Sequence, residues 1–119
     1  MNSTEVGTKL VAWFNEGKFE EIYSNLYSPD ILSVEASGEQ REYKGMAAIQ
    51  AKNEWWEATY ETHSMVGTGP YPHGDDLFAV RYQIDVTEKA SGNRFPMDEV
   101  GVYKVADGKI VEERFFYGE

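Results

Sequence analysis

The sequence predicts an α+β fold, with three helices in the N-terminal half packed on a curved, mostly antiparallel sheet. Helix-period apolar stripes are confined to the first 60 residues. Strand-period alternation dominates the remainder, and breaker-rich turns divide it into long segments. Helices segregated from a closing meander of strands make the α+β pattern.

In the first helix, Ser3 or Thr4 is placed to cap, and Val6, Leu10, Trp13 and Phe14 form the apolar stripe. Gly17 suits its C-terminal cap. A second helix carries Phe19, Ile22, Tyr23, Leu26 and Tyr27 at spacings of three and four, and Pro29 ends it. A strand follows over residues 31–37, with Leu32, Val34 and Ala36 on one face and Ser33, Glu35 and Ser37 on the other. After a turn near Gly38, Arg41–Tyr43 forms a short return strand. Gly45 opens a third helix that runs to about Tyr60. Met46, Ile49, Asn53, Trp56 and Tyr60 share one side of it, and Trp55 lies beside that stripe, towards Ala48, Lys52 and Thr59.

The strands of the second half begin with His63–Thr68. A loop full of breakers, Gly69–Asp76, separates it from Leu77–Glu88, where Phe78, Val80, Tyr82, Ile84 and Val86 alternate with polar residues. Ala90–Asn93 makes a turn. Phe95–Val105 and Lys109–Tyr117 form a hairpin around Ala106-Asp107-Gly108.

Composition narrows the function. A chain of 119 residues makes one domain, 1–119, able to bury roughly two thirds of its unfolded surface. Apolar residues are 41% and aromatics 14%, which argues for a packed core. The net charge of −10 repels phosphate backbones and anionic membranes, so neither nucleic acid nor membrane is an expected partner. Cysteine is absent, which removes thiol catalysis and thiolate metal sites. With two histidines, a three-histidine zinc site cannot form in one chain, and no metal is expected. No apolar run approaches the ~18 residues of a membrane span. The start Met1–Glu5 lacks the basic and apolar regions of a signal peptide, so a cytoplasmic location is the expectation. Phosphate-loop, dinucleotide and nucleophile-elbow motifs are missing, which points to chemistry without a cofactor.

Three segments, taken in order, resemble the nuclear transport factor 2-like superfamily and its SnoaL-like branch. The first is Trp13-Phe14-Asn15-Glu16-Gly17-Lys18-Phe19 through Leu26-Tyr27-Ser28-Pro29-Asp30. The second is Tyr43-Lys44-Gly45-Met46-Ala47-Ala48-Ile49. The third is Glu99–Tyr103 with Asp107–Val111. The resemblance implies a cone-shaped α+β barrel with a pocket between sheet and helices, and a homodimer. Relatives include isomerases, polyketide cyclases, dehydratases and non-enzymatic binding modules, so fold alone does not choose among them.

Ketosteroid isomerase, in the same superfamily, uses an aspartate base with a tyrosine and a protonated aspartate that stabilise the enolate. Matched to this sequence, the base position falls on Glu35, the tyrosine on Leu10 and the protonated acid on Gly101. The base is kept in kind and both oxyanion donors are lost. One such donor is worth roughly 10²–10³ in rate, so steroid isomerisation by that route is not expected.

Glu35, Glu99 and His63 are the candidate catalytic residues. Glu35 has the matched position. Glu99 shares strand parity with Gly101, and His63 could relay protons near neutral pH if it turns inward. The competing readings are plain: a solvated strand carboxylate, a cross-strand partner for Arg81 or Arg114, and a structural histidine. Trp55, Trp56, Tyr82, Tyr103, Phe115 and Tyr117 are the expected aromatic lining, suited to a small hydrophobic or aromatic molecule. Val100 and Val102, opposite Gly101, mark the outer sheet face for a homodimer. Two classes therefore stand: a cofactor-free isomerase, cyclase or dehydratase acting on a small carbonyl compound, and a non-catalytic binding module.

Overall fold

Three helices lie on one face of a six-stranded sheet in the computed structural model, which describes residues 2–117. The elements are α1 (Ser3–Asn15), α2 (Phe19–Asn25), β1 (Tyr27–Val34), β2 (Glu42–Lys44), α3 (Met46–Thr59), β3 (Tyr60–His73), β4 (Leu77–Glu88), β5 (Arg94–Ala106) and β6 (Lys109–Phe116). The sheet order is β2-β1-β6-β5-β4-β3. All pairs are antiparallel except β1 with β6, which brings the first and last long strands side by side. The sheet curves without closing: β2 and β3 are free edges, so the expected barrel is an open cone.

The core lies between the helices and the concave face. Val6 and Leu10 of α1, Ile22 of α2 and Ile49 of α3 meet Phe78, Val80 and Val86 of β4 and Ile110 of β6. Each such side chain, fully buried, contributes about 1.5–3 kcal/mol. Gly7 lets α1 approach closely, since a Cβ there would sit 2.6 Å from Pro70 Cβ and 3.0 Å from the Phe78 ring. Asn15 locks the far end of α1 to β3: its amide donates to Gly67 O at 3.0 Å, and its carbonyl accepts from Gly67 N at 2.7 Å.

Several boundaries differ from expectation. Asn2 is the cap of α1, accepting from Glu5 N at 3.0 Å, while Ser3 is buried inside the helix and donates to Gly74 O. α2 ends at Asn25, and Tyr27 already belongs to β1. Pro29 therefore sits in a strand, where β1 pairs with β2 only from Leu32 onward and no ladder donor is missed. β1 stops at Val34, so Glu35 is the residue just past it, still held by its N–H to Arg41 O at 2.7 Å. The breaker segment 69–73 is strand rather than loop. β3 is an edge strand with a register irregularity between Thr68 and Tyr71, which accommodates Pro70 and Pro72.

Candidate active site

The concave face of β1 carries Ile31 and Ser33, both fully buried, while Leu32 and Val34 are only half-buried. Glu35 thus falls on the helix-facing side. Its side chain is 19% exposed, and α3 reaches it: Lys52 Nζ lies 2.5 Å from Glu35 Oε1. The same ammonium donates to Ser33 Oγ at 3.0 Å and sits over the rings of Phe115, at 4.8 Å, and Tyr43, at 5.2 Å. Tyr117 adds a long hydroxyl contact to Glu35 Oε2, at 3.5 Å.

Glu113, from the neighbouring strand β6, is 3% exposed. The Tyr27 hydroxyl donates to its Oε1 at 2.6 Å. Burial pushes the Glu113 carboxyl up to about 6, with the Tyr27 bond and the Lys52 ammonium pulling the other way. Glu99, opposite Tyr82 across β5 and β4, is pushed up to about 7 by burial, with the charge of Glu35 adding to the effect and Lys52 opposing it. Glu99 and Glu113 thus both feel the charges of Glu35 and Lys52, though only Glu35 touches the ammonium. Glu99 and Glu113 hold protons into the range where acid–base catalysis operates at neutral pH.

Beneath this cluster the aromatic rings are packed. Tyr82 and Tyr103 are buried and their hydroxyls bond to each other. Burial raises both phenols well above the usual tyrosine range, so each is a neutral donor. Tyr103 stacks on Phe78 at 4.9 Å and leans over Gly101, where a Cβ would meet its hydroxyl at 3.0 Å. A side chain at Gly101 would press on the Tyr103 and Phe115 rings. Leu10, at the other lost donor position, is 2% exposed in the core.

The remaining expected site residues separate. Trp56 is half-buried against Tyr60, with ring centroids 4.6 Å apart, whereas Trp55 is 59% exposed. Phe115 lies under Lys52, and Tyr117 stands at the Glu35 edge. His63 is not brought to the carboxylates. It sits at a register irregularity of β3 and turns to the outer face, its Nε2 2.7 Å from Thr87 Oγ1 and its Nδ1 3.7 Å from Glu61 Oε1. His63 therefore does not stand with Glu35 and Glu99 on the concave face. Among the described residues no three His, Cys, Asp or Glu side chains gather around a common point for a metal.

Lys52 and Glu113 are the site residues that sequence reasoning missed. Lys52 had a weak signal: three residues after Ile49 and four before Trp56, it borders the buried stripe of α3. Glu113 lies in the charged run Glu112-Glu113-Arg114, which reads as solvated. Its parity with Phe115 and Tyr117 was the available clue.

The chain matches the SnoaL-like domain family over residues 1–117. A solved structure from Mesorhizobium loti, described as a candidate SnoaL-like polyketide cyclase and also as a carbohydrate phosphatase, is 39% identical, with TM-score 0.91 over 98% of this chain and 100% of that one. A candidate polyketide cyclase from Silicibacter sp. TM1040 is 17% identical, with TM-score 0.73 over 96% and 87% of the two chains. A Catenulispora acidiphila protein with a ketosteroid isomerase-like fold, solved with trimethylamine, is 16% identical, with TM-score 0.75 over 96% and 85%. The last two share the fold alone. No protein of curated function matches the chain. Family match and close structural likeness agree over nearly the whole length: the chain belongs to the SnoaL-like family.

Proposed function

We propose that this protein is a cofactor-free proton-transfer enzyme acting on a small carbonyl compound, as an isomerase, cyclase or dehydratase. The observation that carries this is the Glu35–Lys52 pair on the concave face, whose charges reach the buried carboxyls of Glu99 and Glu113. Glu35 takes the proton from the carbon beside the carbonyl. The electron pair of that C–H bond moves to the carbonyl oxygen, and Lys52 donates a hydrogen bond to the enolate, standing in for the donors missing at Leu10 and Gly101. Glu35 then returns a proton to carbon as the carbonyl re-forms, which restores its carboxylate; while protonated it exchanges with solvent, assisted by the neighbouring Glu99 carboxyl, which is pushed up to about 7. Trp56, Phe115 and Tyr117 border the reacting group. The likeness to the Mesorhizobium loti protein supports the reaction class.

The test is deuterium uptake at the α-carbon of 2-tetralone in D2O, followed by proton NMR. Glu35→Gln should lower the catalysed rate by roughly 10²–10⁴. Uptake by the variant equal to that of the wild type overturns the assignment.

The ring-filled interior, with Phe14 packed on Tyr82 and Phe78 stacked on Tyr103, favours a second reading, a non-catalytic module that binds a small molecule or a protein. Saturable ligand binding with no deuterium uptake in the wild type would select it. We also infer a homodimer formed through the outer sheet face. Val66, Val100 and Phe116 are exposed there, beside a groove of 430 Å³ lined by Ser64, Gln83, Pro96 and Asp98 among others.

A further inference from the structure

On the flank of α3 away from the core stripe, Ala48, Ala51, Lys52 and Trp55 recur at helical spacing and face Tyr43 of β2 and Gln40 of the preceding loop. Packing of a helix on a sheet edge ordinarily fills such a face with large apolar side chains. Two alanines stand there instead, and a hollow of 290 Å³ remains. Its loop wall is held in shape: Gln40 Nε2 donates to Glu42 O at 3.2 Å, and the Tyr43 hydroxyl contacts Gln40 O at 3.4 Å. Trp55, 59% exposed, is a large apolar surface on the helical side of the molecule, which the outer sheet face cannot cover.

We propose that this cleft binds a flat, uncharged, one- or two-ring aromatic carbonyl compound, its ring between Tyr43 and Trp55 and its oxygen on Lys52 Nζ. The size follows from the volume, which lies just below the ligand-pocket range of about 300–1,000 Å³. Flatness follows from the two rings, whose faces gain most from an aromatic partner. The carbonyl follows from Lys52, a donor with no acceptor capacity. The lack of charge follows from Glu35, which already balances the ammonium, and from the net charge of −10, which disfavours an anion. Because Lys52 spans the wall between cleft and interior, a carbonyl on its amine places the adjacent carbon near Glu35. The substrate class therefore rests on the proton-transfer reading, whereas binding in the cleft does not.

The experiment is a titration with acetophenone, followed by ¹H–¹⁵N NMR on the whole chain. Saturable shifts should appear at Tyr43, Ala48, Ala51 and the Trp55 indole. Cyclohexyl methyl ketone, similar in size and not flat, should bind at least tenfold more weakly. Ala51→Leu fills the hollow from an exposed helical position and should weaken acetophenone binding at least tenfold. Trp55→Ala, which removes one wall, should do the same by a second route. Unsaturable shifts, saturable shifts centred on Tyr82 and Tyr103, or unchanged affinity in both variants would each overturn the proposal. The two readings fail separately. Acetophenone bound in the cleft without deuterium uptake by any ketone leaves the cleft standing and removes the enzyme. Deuterium uptake undiminished in Ala51→Leu, with no saturable acetophenone shifts in the cleft of the wild type, does the reverse.

Discussion

Replacing Glu99 by glutamine should make this protein more stable at pH 8 and leave it unchanged near pH 4. The carboxyl of Glu99 is raised from 4.5 to about 7 in the folded state, first by burial and then by the charge of Glu35. In the unfolded chain it releases its proton near 4.5. Between those values the folded state binds more protons than the unfolded one, so stability falls as pH rises through the window. The contribution is full below 4.5 and lost above about 7. At about 1.4 kcal/mol per pH unit the loss comes to about 3 kcal/mol. Glutamine keeps the shape and mimics the protonated acid, so the variant avoids the loss. Glu113, raised to about 6, has the same sign over a narrower window; its charge acts on Glu99, so losing the Glu99 carboxylate eases Glu113 as well and adds to the variant's advantage. Urea unfolding followed by tryptophan fluorescence, at one protein concentration and at pH 4, 6 and 8, measures the difference. It should grow from near zero to about 3 kcal/mol in favour of the variant. A difference that stays constant across this range would refute the buried, charge-crowded setting of Glu99.

Tyr27→Phe removes the donor 2.6 Å from the buried Glu113 carboxylate and should cost about 1–3 kcal/mol at pH 8, less at pH 5 where the acid holds its own proton. Thermal melts at the two pH values check this, and equal losses at both would count against it. Light scattering at micromolar concentration should give the mass of two chains for the wild type and of one for Val100→Lys, which sets a charge in the exposed outer face. One chain's mass for the wild type refutes the dimer.

The element order was legible in the sequence because each element has a strong local signal. The α3 stripe and the alternation of β4 follow from periodicity, and β4 runs over Leu77–Glu88 as read. The parity that sets Ser33 and Glu35 on one face of β1 was equally local. Which face turns inward was not, because Leu32 and Val34 made the opposite choice look apolar; the packing of Lys52 from α3 decides it. Strand 69–73 was hidden by prolines that only an edge position tolerates. His63 turns outward because β3 shifts register beside it, and a register shift exchanges the faces of a strand. Glu113 is the sharpest case. Alternation from the buried Ile110 would send Glu112 inward. A register shift in the β5–β6 ladder between Lys104 and Val105 leaves Glu112 on the outside with Arg114 and turns Glu113 into the core beneath Tyr27. A bulge adds one residue to one strand, and its place is set by how two distant segments pair, which no single segment encodes.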